Sequence, residues 1–129
     1  DLIERLNPEV IYTHHSGDLN IDHVIVHRAV LTATRPQARQ PVKALYAFEV
    51  PSSTEWAFDQ FSTFRPNVFV DISVTLETKI EAMALYESEA RLFPHPRSPK
   101  ALRALAHWRG SAVGLAAVEG FAVVRDVRE

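Results

Sequence analysis

Apolar residues come along this chain in short bursts separated by polar turns, and the bursts switch between the two-residue period of a strand and the 3.6-residue period of a helix. Asn7-Pro8 breaks an opening helical turn, and Glu9-Val-Ile-Tyr-Thr13 then runs apolar for the length of a buried strand. Asn20 is a good N-cap, and Asp22 follows in the first turn, where a carboxylate complements the helix dipole; the helix they open extends to about Thr34. Its residues Ile21, Val24, Ile25, Ala29, Thr32 and Ala33 mark one face and Val26 and Val30 a second, which predicts a helix covered on more than one side.

Pro36 and Pro41 bracket a polar loop, and Ala44-Leu-Tyr-Ala-Phe-Glu-Val50 predicts a second strand closed by Pro51-Ser-Ser-Thr54. The aromatic stretch from Trp56 to Pro66 has no clean period and reads as an irregular excursion with a turn of helix. Asn67-Val-Phe-Val-Asp-Ile-Ser73 is a third strand. Ser73 or Thr75 caps the next helix, which presents Leu76, Ile80 and Met83 inward and ends near Ala90. Ser98-Pro99 supplies the N-cap and first position of another helix, with Leu102, Leu105 and Ala106 as its buried stripe. Gly120-Phe-Ala-Val-Val-Arg125 reads as a last strand. The order strand, helix, strand, strand, helix, helix, strand is α/β, and it lacks the opening strands of a complete doubly wound sheet.

With 129 residues, 47% of them hydrophobic and 23% charged, the chain has apolar mass for one core, so residues 1–129 are expected to form a single domain. A net charge of -2 gives no long-range attraction to nucleic acid or anionic lipid. No apolar stretch approaches the roughly 20 residues of a membrane-spanning helix, so no membrane partner is expected. The sequence contains no cysteine, which excludes disulfides, thiolate metal sites and cysteine nucleophiles and is in keeping with the cytoplasm. Any metal must be held by His, Asp or Glu. The opening Asp1-Leu-Ile-Glu-Arg-Leu-Asn-Pro8 reads as the end of a helix already in progress, so the chain is expected to be part of a longer protein. Missing strands would leave an apolar sheet edge and face that association, as a homo-oligomer, would cover.

Chemistry is densest in His14-His15-Ser-Gly-Asp18-Leu-Asn20-Ile-Asp22-His23, where the first strand ends and the first helix begins. That edge is where ligands bind in open α/β sheets. His23 and His27, four apart, share one helix face as paired zinc ligands do, although such pairs are also common on solvated faces. His23 lies at the mouth, flanked by Asp22, a carboxylate able to hold an imidazole nitrogen. His27 lies a turn deeper and reads better as a packed histidine. His14 and His15 point to opposite faces of a continuing strand, so at most one faces the cleft. Asp18 fits an Asx turn and Asn20 a helix cap. Substrate-facing candidates are His15, Asp18, Glu49 and Arg97. The aromatic stretch from Trp56 to Phe64 reads as core or contact packing before it reads as a sugar-stacking platform.

Pro8-Glu-Val-Ile-Tyr-Thr-His14 followed by Asp18-Leu-Asn20-Ile-Asp22-His23 and a long helix resembles the second conserved block of the PIG-L/LmbE-like N-acetylglucosaminyl deacetylases. Val70-Asp-Ile-Ser73 before a helix, and Gly110-Ser111 with Glu119-Gly-Phe121, fit the same family. The resemblance covers nearly the whole chain, as that family's C-terminal portion. It implies a Rossmann-like three-layer sandwich with a mostly parallel sheet, whose N-terminal strands are missing from this chain. It also implies zinc-dependent hydrolysis of the N-acetyl group of an amino sugar or a glycoconjugate, with a small-molecule amino-sugar substrate. His23 corresponds to the third zinc ligand and Asp22 to the carboxylate before it. Asn20 stands where many members carry a histidine that polarises the amide carbonyl; His14 or His15 takes that role, or Asn20 itself donates to the oxyanion. The family's His-Pro-Asp-Asp motif, with two ligands and the general base, is absent from this sequence, so the chain alone is expected to be inactive. The competing expectation is a non-catalytic α/β module that binds a sugar or a partner without metal.

Overall fold

Strands and helices follow the expected order in the computed structural model, which describes residues 2–129. Helix α1 (Leu2–Leu6) leads into β1 (Val10–His14), α2 (Ile21–Ala33) and β2 (Ala44–Phe48). A 3-10 turn at Glu55–Ala57 is the only regular element of the aromatic excursion, and β3 (Val68–Asp71), α3 (Leu76–Ala84), α4 (Pro99–Ser111) and β4 (Val118–Asp126) complete the chain.

The four strands form one sheet in the order β1-β2-β4-β3. β1 and β2 are parallel, with Val10 opposite Ala44 and His14 opposite Phe48, and α2 is the crossover that parallel pairing requires. β2 and β4 are antiparallel, with Phe48 opposite Phe121 and an irregularity between Leu45 and Tyr46. The expected mostly parallel sheet is therefore corrected to a mixed one. An apolar run such as Phe121-Ala-Val-Val124 carries no mark of its direction, so the sequence pattern does not separate the two arrangements.

The chain divides into two compact units, one running through Asn67 and resuming at Phe121–Glu129, the other comprising Val68–Gly120. In the first, Leu45 is fully buried, and Val42, Ala44, Ala47 and Phe121 are buried as well. Only one face of α2 is withdrawn from water: His27 and, beyond the helix end, Thr34 are buried, while His23, Val24 and Val30 are half-buried. Ile21 and Ile25 are 70% and 58% exposed, so the expectation of a helix covered on several sides does not hold. Apolar character alone does not put a side chain inside. The C-terminal end of α2 has no basic residue of its own; Arg125 supplies the charge, donating to the Thr34 carbonyl at 2.8 Å and the Val42 carbonyl at 3.3 Å.

The second unit is organised by apolar packing. Ile72, Leu76, Ile80, Leu102, Ala106 and Ala117 form one buried cluster, with Met83 against it. Leu76, Ile80 and Met83 follow the helical period that marks them as inward. α3 stops at Ala84, short of the expected Ala90, and Leu85 just beyond it is 82% exposed. Ser98 caps α4 by accepting the Ala101 N–H at 3.1 Å, and Pro99 sits where its missing N–H costs nothing. Arg103 grips Glu77 through two hydrogen bonds, at 2.9 and 2.6 Å. Among the described residues, no helix is long and apolar enough to cross a membrane.

Candidate functional site at the carboxyl ends of the parallel strands

Parallel pairing of β1 and β2 brings the carboxyl ends of both strands, His14 and Phe48, to the same edge of the sheet. The loops that leave them, residues 15–20 and 49–54, therefore meet there, and Leu19 N–H donates to the Ser53 carbonyl at 3.4 Å. Gly17 permits a further close approach: a β-carbon at this position would lie 2.0 Å from the Ser62 carbonyl oxygen. That carbonyl accepts the His15 Nε2–H at 2.6 Å.

At the centre of the junction lies Asp18, whose side chain has no exposure to solvent. Its carboxylate accepts from four donors. Ser53 Oγ–H donates to Oδ1, the Asn20 N–H reaches the same oxygen at 3.4 Å, Thr54 Oγ1–H donates to Oδ2 at 3.3 Å, and His23 Nδ1–H donates to Oδ2 at 3.0 Å. A carboxylate offers about four lone-pair directions, so this one is saturated. Burial pushes its pKa up, but the donors Ser53, His23 and Asn20, with the charge of His23, outweigh that, and the carboxyl sits below its ordinary value.

The donors are themselves held. Thr54 Oγ1 accepts the Val50 N–H at 2.7 Å, which turns its proton toward Asp18, and Ser53 Oγ accepts the Asn20 N–H at 3.3 Å. Asn20 Oδ1 takes the Asp22 N–H at 2.9 Å and so caps α2, fixing the first turn that carries His23. The result is an imidazole whose Nδ1 is committed to a buried carboxylate. In the neutral ring this leaves Nε2 with its lone pair, on a side chain that keeps 18% of its surface exposed.

The other histidines have separate duties. His14 stacks on His23 with ring centroids 4.2 Å apart and lies 4.8 Å from Phe48; its Nδ1 is buried without a hydrogen-bond partner. Burial, and secondarily the neighbouring His23, lowers the His14 pKa, with Asp18 acting the other way. His27 is buried and donates from Nδ1 to the His14 carbonyl at 2.8 Å, pinning α2 to the end of β1. His15 was expected to face substrate and is instead buried, bonded to Ser62 and edge-on to Phe64. Asp18, also expected to face substrate, is turned inward as described. Asp22 was expected to steady His23, but its side chain is exposed and the carboxylate on His23 is that of Asp18. The helical rise carries Asp22 away from its neighbour, while the loop lets Asp18 fold back beneath it. Arg97 lies in the other unit and is paired with Glu89. Ser53 and Thr54 were read from sequence as a strand terminator; their hydroxyls instead complete the site.

Among the described residues, no group of three His, Asp or Glu side chains is placed to hold a metal ion. The donor chemistry present is one imidazole backed by a carboxylate, which fits one position of a zinc site and no more. Fold and site together define an α/β protein of mixed sheet with a polar centre at a strand-to-helix edge. No protein-family model matches the chain, and no curated protein does. The fold is similar to that of the conserved protein TT1542 from Thermus thermophilus, with a TM-score of 0.72 at 20% sequence identity over 99% of this chain. The chain spans 57% of the length of that protein.

Proposed function

We propose that this chain is the C-terminal portion of a zinc-dependent N-deacetylase of the PIG-L/LmbE-like type, acting on an N-acetylated amino sugar or a glycoconjugate, in a Rossmann-like domain whose remaining strands lie outside it. The observation that carries the reading is the Asp18–His23 pair: a buried carboxylate fixes the Nδ1–H of a half-buried imidazole where the parallel strands end. Carboxylate–histidine pairs of this kind orient metal ligands and raise their basicity. His23 is the zinc ligand, through Nε2. Bound zinc supplies a Lewis acid and a water of lowered pKa, about 7 in hydrolytic sites of this type.

The chain's own residues prepare that chemistry. Asp18 holds the tautomer, and the Asn20 cap holds the turn that carries His23. His14 covers one face of the His23 ring and excludes water from it. The lowered pKa of His14 favours its uncharged imidazole, able to donate a hydrogen bond to an acyl oxygen, a role that falls to His14 or to Asn20. The further ligands and the general base come from outside the chain.

Metal analysis of the full-length protein tests this reading. Wild type is expected to carry about one zinc per chain and His23→Ala markedly less; equal content in the two contradicts the assignment.

A further inference from the structure

Ser53 lies thirty residues after His23 in the chain and belongs to a loop that carries no ligand or acid–base group in the function proposed above. Its hydroxyl is nevertheless the donor to Asp18 Oδ1, it accepts the Asn20 N–H at 3.3 Å, and its oxygen lies 3.5 Å from His23 Nδ1. The residue is 7% exposed. The arrangement resembles a serine–histidine–aspartate triad in composition and differs from one in geometry. Ser53 and His23 Nδ1 both face the carboxylate, so Ser53 is on the wrong side of the ring for His23 Nε2 to activate it as a nucleophile.

We infer that Ser53 is a positioning residue: by occupying Asp18 Oδ1 it leaves Oδ2 to face His23 Nδ1, and so fixes the direction in which the ring presents Nε2 to a ligand. The carboxylate has two oxygens and four donors. Thr54, on Oδ2, is anchored by the Val50 N–H at 2.7 Å and cannot move across to Oδ1 without breaking that bond. Without the Ser53 hydroxyl, Oδ1 keeps only the long 3.4 Å contact with the Asn20 N–H. The under-satisfied buried oxygen then competes for the nearest mobile donor, His23 Nδ1–H, and the ring rotates away from its set orientation. Because Ser53 stands on the loop after β2 and His23 on the helix after β1, the parallel register of the two strands becomes a device for orienting one imidazole. The inference rests on the deacetylase reading only in naming zinc as the group that Nε2 awaits; the orientation itself does not depend on it.

The test is proton NMR of the His23 and His14 rings, stacked with centroids 4.2 Å apart, in the full-length protein without metal. Wild type is expected to show strong nuclear Overhauser contacts between the two rings, with His23 in one orientation. In Ser53→Ala the ratio of the stacked to the rotated His23 ring, read from those contacts, falls about tenfold, the equivalent of one net hydrogen bond. Ser53→Cys, which keeps the volume and weakens the donor, gives a smaller change of the same sign and serves as the readout should Ser53→Ala not fold. Ser52→Ala, one residue away, leaves the ratio at its wild-type value. An unchanged ratio in folded Ser53→Ala or Ser53→Cys overturns the inference, as does an equal change in Ser52→Ala. A ratio that shifts as described in a full-length protein that binds no zinc upholds the positioning role and overturns the deacetylase reading instead.

Discussion

The two units of this chain are built around opposite kinds of centre. In Val68–Gly120 the buried cluster is hydrocarbon: Ile72, Leu76, Ile80, Leu102, Ala106 and Ala117 meet in a core that any sequence of similar volume and pattern would fill. In the unit that contains β1, β2 and α2, four of the buried polar residues are Thr13, Asp18, His27 and Ser53, and a fully buried carboxylate lies at the meeting of two loops. Apolar packing is non-directional and tolerates rearrangement. A saturated hydrogen-bond network is directional, costs several kcal/mol when one partner is removed, and holds its members in one geometry. The first kind of centre makes a fold stable. The second holds a particular ring in a particular tautomer.

Substitutions sharpen the contrast. Asp18→Ala is expected to have the largest effect, about 3–5 kcal/mol in chemical denaturation, because it leaves four donors facing a cavity. A cost below about 1 kcal/mol would show that the network is not the structural centre of its unit. Leu102→Ala is expected to cost about 2–4 kcal/mol, the ordinary range for a buried leucine, while leaving the His23 ring signals where they are. Movement of those signals would break the separation of roles between the two centres. Ser98→Ala removes the N-cap of α4 and is expected to lower stability by about 1 kcal/mol, again without effect on His23. Ser98→Asp, which restores an acceptor, should recover part of it.

The smallest effect concerns pH. Hydrogen bonding to Arg103 holds the Glu77 carboxyl below its ordinary pKa, burial opposing this slightly. Because the folded value is depressed, the pair contributes above the unfolded glutamate pKa, and the contribution is lost as pH falls through the folded value. Thermal melts of wild type and Glu77→Gln should therefore differ slightly at neutral pH and converge in acid. Both side chains are substantially exposed, so added salt should narrow the difference at neutral pH.

Elements whose signals are local were legible before the structure. Asn20 caps α2, Ser98-Pro99 opens α4, and Leu102 and Ala106 lie on its buried face, because a cap or a helical stripe is written within a few residues. The direction of β4 was not legible, since an apolar strand reads alike in both senses. The burial of α2 was misread for a related reason: its valines and isoleucines encircle the helix, and what withdraws one face from water is the polar series His23, His27 and Thr34, tied to β1 and to Arg125. The cluster from His14 to His23 was visible as a concentration of chemistry, but not its wiring. Asp18 meets Ser53 across 35 positions, a meeting that exists only because β1 and β2 are parallel and in register. The signal that was available is Ser52-Ser53-Thr54, hydroxyls placed a few residues after a strand, where the loop edge of a parallel pair collects them.

That Asp18 and not its sequence neighbour Asp22 holds His23, the zinc ligand proposed above, is tested most directly by zinc affinity in the full-length protein. Asp18→Asn is expected to weaken zinc binding about 10- to 100-fold, the usual cost of losing a carboxylate behind a metal-bound histidine, while Asp22→Asn binds as wild type does. Wild-type affinity in folded Asp18→Asn, or a loss confined to Asp22→Asn, would contradict it.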